Sequence, residues 1–522
     1  MANSFITLPK KKPNLEFLAL AEKAIDQFIP NWNYQIESKP GVTHFIGVSG
    51  GVDSSALVCA LLVKHPNIDW HLFFADTGNE PSDVEQIIRV FAEEMGATVT
   101  IGKPEKSLFE CIEDNGFLPS VKARWCTAVL KIKVWEEFIS SLLADPEHRC
   151  INYAGVRYDE RDRAGMLGIE RVESAHPFVD QKVEREAVVK IAAALGVLGG
   201  TYYRGKSRSG CMNCFFQTKQ ELISLAVWDK KQFEKGASVE KLNTEILQLL
   251  DDSNHPIKAL GYYSGYPISQ LVINGKRSLN IESFFGESRM DKDGVNWDYL
   301  TGSLKTKRKV AKVDSKQQSM FEEVLAEESY SDKEITLYVA IEHLIHPLMH
   351  GNLGVYSQLP ITFSTSISGL TRSVNGYMYH RRTIADGFYV SELHYESQSH
   401  ITVLCLRFPR TVLPKVDYNQ PGVYTWSSDI SYNEIAHTMR AIQRLGHFAY
   451  CKQMIEISQT HFIDGRTLNG CRKYIDLVES TDVEIGELIG IGHFKPKEKM
   501  VDLRDDSYDE SPKTVRCIAC SL

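Results

Sequence analysis

Short apolar segments alternate with helix-like segments between residues 41 and 235, and this alternation limits the chain to few architectures. The predicted strands are 43–48, 70–75, 97–101 and 151–156, and the predicted helices are 55–64, 82–95 and 128–143. Parallel strands need a long crossover connection, so strands separated by helices indicate βαβ units. The pattern predicts an α/β fold: a doubly wound, mostly parallel sheet with helices on both faces.

The remaining segments are less regular. The sequence pattern predicts a helical lead-in over residues 1–40. Over residues 236–330 it predicts an aromatic and charged connecting region. Residues 331–522 predict a C-terminal α+β domain, with a strand at 400–408 and a helix at 434–458. A length of 522 residues fits about three domains.

Charge and hydropathy exclude some classes of protein. The net charge of −8, from 59 basic and 67 acidic residues, argues against a protein that coats duplex nucleic acid with a broad basic face. The basic run at 305–312 leaves a local contact with a nucleic-acid backbone open. Because the sequence has no apolar run of about 18 residues, we expect no membrane span and a cytoplasmic location.

The segment from Ser49 to Ser55 lies between the first predicted strand and its helix. A helix N-terminus at this point offers backbone N–H groups and the positive end of the helix dipole to a phosphate. Glycines permit close backbone approach, and an aspartate beside phosphates is expected to hold a bridging cation, Mg²⁺. The alternative is a turn in which these residues serve only geometry and capping. The candidate nucleotide-binding residues of this loop are Ser49, Gly50, Gly51, Asp53, Ser54 and Ser55.

One further segment and two further cationic residues fit nucleotide chemistry. The segment Asp76, Thr77 and Gly78 follows the second strand, where open α/β sheets bind ligands. Lys131 and Arg157 are cations suited to phosphate or sulfate oxygens. The alternative for Asp76 is a helix-entry residue, and the alternative for the arginines that follow Arg157 is a solvated charged helix.

A second segment matches a phosphate-binding motif in its sequence but not in its structural context. Residues 200–207 match GxxxxGK[ST], but a helical pattern precedes the string and Arg208 begins a loop rather than a helix. We therefore interpret the segment as a loop in which Arg204, Lys206 and Arg208 contact an anion.

Together these motifs resemble one family. SGGVDSS at 49–55, DTGNE at 76–80, RWCT at 124–127, GVRYDERDR at 155–163 and the later pair Cys211 and Cys214 resemble the phosphoadenosine phosphosulfate (PAPS) reductase family. That family belongs to the PP-loop ATP pyrophosphatases and includes DNA-phosphorothioation relatives. The resemblance implies an adenine nucleotide alpha-hydrolase-like fold whose loop grips the pyrophosphate of ATP. It also implies catalytic roles for Asp53, Lys131 and Arg157.

The cysteines depart from the family pattern. Sulfonucleotide reductases carry a nucleophilic cysteine in an ECGIH-type segment, which this sequence lacks. Cluster-bearing members have two adjacent cysteines where this chain has Trp125 and Cys126. The matched metal ligands are thus Cys126, Cys211 and Cys214. A 4Fe-4S cluster with one open iron, as in the cluster-dependent tRNA thiolases, a zinc site and no metal at all remain alternatives, and Cys111, Cys150 or a C-terminal cysteine is a candidate fourth ligand.

The expected function is ATP-dependent adenylyl transfer with pyrophosphate release, which activates an acceptor for sulfur transfer or a related modification. One alternative is a PAPS or APS reductase-like enzyme that binds a sulfonucleotide. Another is a nucleotide-binding module of a nucleic-acid modification or defence complex. The acceptor, whether tRNA, DNA, a protein or a small metabolite, stays open, as do a sulfur donor and a complex partner.

Weaker signals lie in the second half of the chain. They are the histidines at 343, 346 and 350 as metal ligands, the tyrosines at 262, 263 and 266 as a base-stacking surface, and the cysteine pair at 517 and 520. Each has a commoner explanation in core packing, a solvated surface or a mobile tail.

Overall fold

The computed structural model describes most of the chain. The described residues are 3–121, 123–164, 168–251, 289–290, 295–300, 333–345, 356–385, 400–427, 429–460, 462–481 and 483–494. Two compact units are present, the first mainly from residues 1–218 and the second mainly from residues 219–378 and 395–504.

The first unit contains a six-stranded sheet. Its strands are β1 (Ser4–Leu8), β2 (Val42–Gly47), β3 (Trp70–Ala75), β4 (Thr98–Lys103), β5 (Arg149–Tyr153) and β6 (Val172–Ala175). Their order is β1-β4-β3-β2-β5-β6, and all neighbours are parallel except β1 and β4. The predicted mostly parallel sheet is confirmed.

Helices fill the connections between these strands. They are α1 (Leu15–Phe28), α2 (Val52–Lys64), α3 (Val84–Met95), α4 (Leu108–Asn115), α5 (Trp125–Thr127), α6 (Lys133–Ser140), α7 (Pro177–Asp180), α8 (Arg185–Ala194) and α9 (Gly200–Tyr203). A π-helical turn, Ala128–Ile132, joins α5 to α6, and a 3-10 turn spans Tyr158–Arg163.

Side chains that alternate along the strands divide the core into two layers. Leu72 and Phe74 of β3 pack with residues of α1, α2, α3 and α8. Phe73, between them, packs on the opposite face with Trp135 and Ile139 of α6. Helices therefore cover both faces of the sheet, as predicted.

The lead-in differs from its prediction, because a strand precedes the helix. β1 pairs antiparallel with β4, Ser4 opposite Lys103 and Leu8 opposite Val99. Five residues are too few for a reliable period in sequence, and the strand is stabilised by its neighbour rather than by local preference.

The second unit contains an antiparallel sheet and helices. Its strands are β7 (Arg289–Met290), β8 (Val295–Leu300), β9 (Glu334–Ile345), β10 (Tyr356–Ser364), β11 (His400–Pro409) and β12 (Glu487–Phe494), in the order β10-β9-β11-β12-β8-β7. Its helices are α10 (Lys219–Trp228), α11 (Lys230–Ser238), α12 (Thr244–Leu250), α13 (Ile367–Ala385), α14 (Tyr432–Ile457) and α15 (Gly465–Ser480). The predicted strand at 400–408 and helix at 434–458 are confirmed, as is the C-terminal α+β class.

The compact units do not divide at the predicted limits of 235 and 330. The division falls after Thr218, and β8, from the predicted connecting region, pairs with β12. Such long-range pairing leaves no local sequence signal. Of the helices that the structure describes, none combines the length and the apolar character needed to cross a membrane.

Several weaker predictions fall outside the described residues. They concern the basic run at 305–312, the tyrosines at 262, 263 and 266, the histidines at 346 and 350, and the cysteines at 517 and 520. His343 lies in strand β9, so the helical spacing predicted for the histidines is wrong at that position.

Candidate functional site

The loop between β2 and α2 forms the N-terminus of a buried helix. Gly51 is the N-cap of α2, with φ −91° and ψ 162°. Gly50 has φ +66°, and a Cβ atom there would lie 2.8 Å from Cγ1 of Val84. Both the backbone conformation and the available space therefore require glycine at position 50.

Hydroxyl groups stabilise this loop from within. Oγ of Ser54 accepts a hydrogen bond from the Ser49 N–H at 3.2 Å and donates one to the Gly51 carbonyl at 3.2 Å. Ser49, Ser54 and Ser55 are all buried. The loop is closely packed from outside as well, since a Cβ atom on Gly155 would lie 3.0 Å from the carbonyl carbon of Asp53.

Two of the predicted catalytic residues are in direct contact. Nη1 of Arg157 donates to Oδ1 of Asp53 at 2.7 Å. The same guanidinium contacts Asp159 through Nε at 3.0 Å and Glu160 through Nη2 at 2.8 Å. The Arg157 side chain is 1% exposed and that of Asp53 is 33% exposed. The sequence predicted a cation-binding aspartate and a phosphate-binding arginine, but not that they neutralise each other.

The loop after β3 carries the second predicted group. Oδ1 of Asp76 accepts a hydrogen bond from the Gly78 N–H at 2.9 Å, and its Oδ2 lies 3.2 Å from Nζ of Lys103. Gly78 has φ +71°, and a Cβ atom there would lie 2.9 Å from Cβ of Ser107. Asp76 thus shapes a tight turn at the carboxyl end of β3, beside the loop after β2.

Thr77 connects this turn to one of the predicted cysteines. Its buried hydroxyl lies 3.0 Å from Oε1 of Glu80 and 3.3 Å from Sγ of Cys211. Sγ of Cys211 also lies 3.5 Å from Oε1 of Glu80. A segment far along the chain therefore meets the carboxyl end of β3.

Burial raises the pKa of the Cys211 thiol well above its usual value. The carboxylate of Glu80 and the thiol of Cys214 act in the same direction, while the charge of Lys131 opposes them. Lys131 is buried in the π-helical turn. The structure therefore brings Lys131 and Cys214 within electrostatic range of Cys211.

The segment that carries Cys126 lies beside the segment that carries Cys214. The guanidinium of Arg124 stands 5.1 Å from the ring centroid of Phe216, and that of Arg208 stands 5.2 Å from it. Among the residues that the structure describes, no group of three or more His, Cys, Asp or Glu side chains is arranged to hold a metal ion. The side chains as they stand do not form a metal site, and the ligand set of three cysteines stays a prediction.

Lys206, from the GxxxxGK[ST] string, serves the cysteine turn. Its Nζ donates to the Gly210 carbonyl at 2.7 Å and to the Cys211 carbonyl at 2.9 Å, and the side chain is buried. Residues 208–218, all of which the structure describes, contain no helix. The string therefore lacks the loop-to-helix geometry of a P-loop, as its sequence context predicted.

Three residues of this region were not named as site residues from the sequence, although Asn79 lies in the DTGNE motif and Tyr202 in the GxxxxGK[ST] string. Oγ of Ser209 lies 3.0 Å from Oγ of Ser49, and the Tyr202 hydroxyl accepts a hydrogen bond from the Val52 N–H at 3.4 Å. Asn79 bonds the backbone at 212 and 213 through its carbonyl and its side-chain amide, at 2.6 and 3.1 Å. Serine and asparagine in loops are too common to be distinguished without the fold.

Comparison with known families agrees with this architecture. Residues 43–183 match the family model described as phosphoadenosine phosphosulfate reductase domain. The matched region runs from β2 past β6 and contains the loop at Ser49–Ser55 and the Asp53–Arg157 pair. The fold of the first unit is an α/β domain with a mostly parallel sheet, in agreement with this match. Residues 43–183 are thus similar to a PAPS reductase domain, in agreement with the family predicted from the sequence motifs.

Comparison with solved structures found the U34-tRNA thiolase NcsA from Methanococcus maripaludis with its 4Fe-4S cluster. The identity is 14% and the TM-score is 0.25, over 35% of this chain and 65% of the NcsA chain. The match thus spans less than two thirds of that protein. A search of curated proteins found no match.

Proposed function

We propose that the first unit catalyses ATP-dependent adenylyl transfer with release of pyrophosphate, and that the activated acceptor then receives sulfur or undergoes a related modification. The observation that carries this proposal is the contact between Arg157 and Asp53 in the first turn of α2, 2.7 Å long and beside the Ser49–Gly51 loop. It places a permanent cation next to backbone N–H groups at a helix N-terminus. The family match of residues 43–183 supports nucleotide chemistry.

Binding of the leaving phosphates is assigned to the N-terminus of α2. Glycines 50 and 51 let the backbone approach an anion, and the helix dipole favours negative charge there. Arg157 compensates the charge that develops on the leaving group, while Asp159 and Glu160 hold its guanidinium in place. Mg²⁺ bound here would supply further charge neutralisation, and Asp53 would be the residue that holds it.

The proposed step is an in-line displacement at the α-phosphorus. An acceptor oxygen forms the new bond to phosphorus, the bond to the bridging oxygen of the β-phosphate breaks, and that electron pair leaves with pyrophosphate. A sulfur nucleophile then displaces AMP from the adenylated acceptor. The protein contributes mainly positioning and charge stabilisation, which suits Lys131 and Arg157.

We also propose that Cys126, Cys211 and Cys214 hold a 4Fe-4S cluster, with zinc as the alternative. The electrostatic coupling of Cys211 to Cys214 and the contact of Arg124 with Phe216 support a common site. The Glu80 carboxylate beside Cys211 would have to move away from a cluster, because it adds negative charge to the thiolates. No step of the adenylyl transfer depends on this metal.

A sulfonucleotide reductase remains the second candidate, and the family match favours it. The same loop would then bind the phosphate groups of PAPS or APS. The absence of an ECGIH-type cysteine segment from the sequence argues against this reaction.

Pyrophosphate release from ATP, assayed with and without candidate acceptors, tests the proposal. We expect Asp53→Ala to abolish release, because the aspartate lies in the phosphate loop. The matched control is Asp114→Ala, which removes an exposed carboxylate paired with Lys106 in the same unit. Unchanged release in Asp53→Ala would remove the assignment. Sulfite production from PAPS and a reductant would instead identify a reductase, and nucleotide binding without turnover would favour a binding module.

A further inference from the structure

Residues 206–213, here called the bridging segment, contact the loops at the ends of two adjacent strands. Ser209 contacts the loop Ser49–Gly51 between β2 and α2, here called the phosphate loop. Cys211 to Asn213 contact the loop after β3. Lys206 holds the carbonyls between these two ends, at Gly210 and Cys211. The two ends of the bridging segment are only a few residues apart. A displacement of Ser209 is therefore expected to move the backbone at Cys211 as well.

The Ser209 side chain fills the space above the phosphate loop. Its Oγ lies 3.0 Å from Oγ of Ser49. A Cβ atom built on Gly51 would lie 2.3 Å from Oγ and 2.6 Å from Cβ of Ser209. The absence of a side chain at Gly51 leaves this space beside the helix N-terminus, and the neutral hydroxymethyl group of Ser209 occupies it.

A second hydroxyl engages the same helix end. The N–H of Val52, the first residue of α2, donates to the Tyr202 hydroxyl at 3.4 Å. Hydroxyl groups of residues 202 and 209 therefore satisfy groups of the loop that a phosphate would otherwise contact. A phosphate that enters the space beside Gly51 and Ser49 would therefore compete with Ser209 for it.

The other end of the bridging segment is fixed by two hydrogen bonds to Asn79, one to its backbone and one to its side chain. The Met212 N–H donates to the Asn79 carbonyl at 2.6 Å, and Nδ2 of Asn79 donates to the Asn213 carbonyl at 3.1 Å. The Met212 N–H reports the state of the segment directly, because the exchange of a backbone amide proton accelerates when its hydrogen bond opens.

We propose that Ser209 is a latch that competes with the nucleotide for the phosphate loop, and that nucleotide binding releases the bridging segment that carries Cys211. This inference rests on the proposed function, since it takes the loop to be the phosphate site. It makes Ser209 a positioning residue that weakens nucleotide affinity and links occupancy of the loop to the cysteine turn.

The sign of an affinity change tests the latch. Binding of α,β-methylene-ATP with Mg²⁺ is measured by isothermal titration for wild type and Ser209→Ala. Loss of a competing hydroxyl contact should tighten binding by roughly two- to tenfold, the range expected for one hydrogen bond. Ser141→Ala, which removes an exposed hydroxyl bonded to the Phe138 carbonyl, should leave the affinity unchanged. Weaker or equal binding by Ser209→Ala would overturn the latch, since weaker binding means that Ser209 donates to the phosphate.

Hydrogen exchange of peptides that span the bridging segment gives a second readout. The analogue should accelerate exchange at 206–213 in wild type, and Ser209→Ala should show faster exchange without any ligand. If the analogue binds and exchange at 206–213 is unchanged or slower, the latch is refuted and the proposed function stands. If the analogue does not bind to wild type, the proposed function fails and the latch fails with it.

Discussion

Arg157 donates from Nη1 to Oδ1 of Asp53 at 2.7 Å, across 104 residues of the sequence. The contact ties the loop after β5 to the first turn of α2, on the edge of the sheet where open α/β folds bind ligands. Since the guanidinium is 1% exposed, its charge depends on its carboxylate partners rather than on water. The stability of the first unit and the proposed chemistry thus both depend on Arg157.

Replacing Arg157 should therefore destabilise the first unit. Arg157→Met removes this cation from the carboxylates of Asp53, Asp159 and Glu160. Because Asp53 and Asp159 are 33% and 37% exposed, water compensates part of the loss, and the cost should be about 1–3 kcal/mol. Urea denaturation followed by circular dichroism measures the loss. Arg161→Met, at an exposed position in the next turn, serves as the control and should change stability by less than about 0.5 kcal/mol. Equal stabilities of the two variants would contradict the argument.

Comparison of Gly50→Ala with Gly116→Ala separates backbone strain from steric crowding at the phosphate loop. Gly50 and Gly116 both have a positive φ, +66° and +70°, but a Cβ atom meets Val84 at 2.8 Å in the first case and nothing within 4 Å in the second. Gly116→Ala should cost about 1–2 kcal/mol from the backbone alone. Gly50→Ala should cost more, and should also weaken nucleotide binding. Equal free energies of unfolding for the two variants, measured by urea titration, would show that Val84 does not resist the added methyl group.

The first unit should lose stability as the pH falls below about 6.5. Burial lowers the pKa of His71 from 6.5 to about 4. Between these values the unfolded chain binds a proton that the folded chain does not, so the stabilisation is complete above the unfolded pKa and disappears as the pH falls toward 4. The shift corresponds to about 3 kcal/mol.

His71→Gln should reduce this pH dependence, measured by native-state hydrogen exchange of peptides from β3 and β4 at pH 7, 6 and 5. Glutamine retains a polar group near Thr100, whose hydroxyl lies 2.7 Å from Nε2 of His71. The matched control is His148→Gln, which alters a histidine hydrogen-bonded to Thr43 near the start of β2. An unchanged slope in His71→Gln would contradict the assignment.

The cysteine site is tested by its metal content. We expect protein purified without oxygen to contain iron and sulfide and to absorb visible light, and Cys126→Ser or Cys214→Ser to lose most of the iron. Cys471→Ser, in the second unit, should retain it. Colourless, iron-free wild-type protein would contradict the cluster, and stoichiometric zinc would support the alternative.

The sequence was sufficient for features that have a local signal. Buried strands such as β3 read as continuous apolar runs, and glycines followed by Asp53 mark a strand-to-helix turn in any context. The helical prediction at 128–143 was confirmed for Lys133–Ser140, whereas Lys131 lies in a π-helical turn and residues 141–143 follow the end of the helix. A single inserted residue in a helix does not change the apolar period enough to be recognised.

Contacts between distant segments could not be predicted in this way. Ser209 and Ser49 are separated by 160 residues, and neither serine has a neighbour that announces the pairing. The antiparallel pairing of β1 with β4 and the ion pair of Asp53 with Arg157 likewise depend on the folded sheet. Sequence motifs identified the residue types at the site, whereas the partner of each side chain was decided by topology.

The position of Lys206 changes how mutational data on this chain should be interpreted. An inactive Lys206→Ala variant would ordinarily be taken as proof of a Walker-type ATPase, because the lysine completes a GxxxxGK[ST] string. Its ammonium group instead holds two carbonyls of the turn that presents Cys211. Inactivity of that variant would report the collapse of a turn, so mutagenesis guided by the string alone would assign the wrong enzyme class.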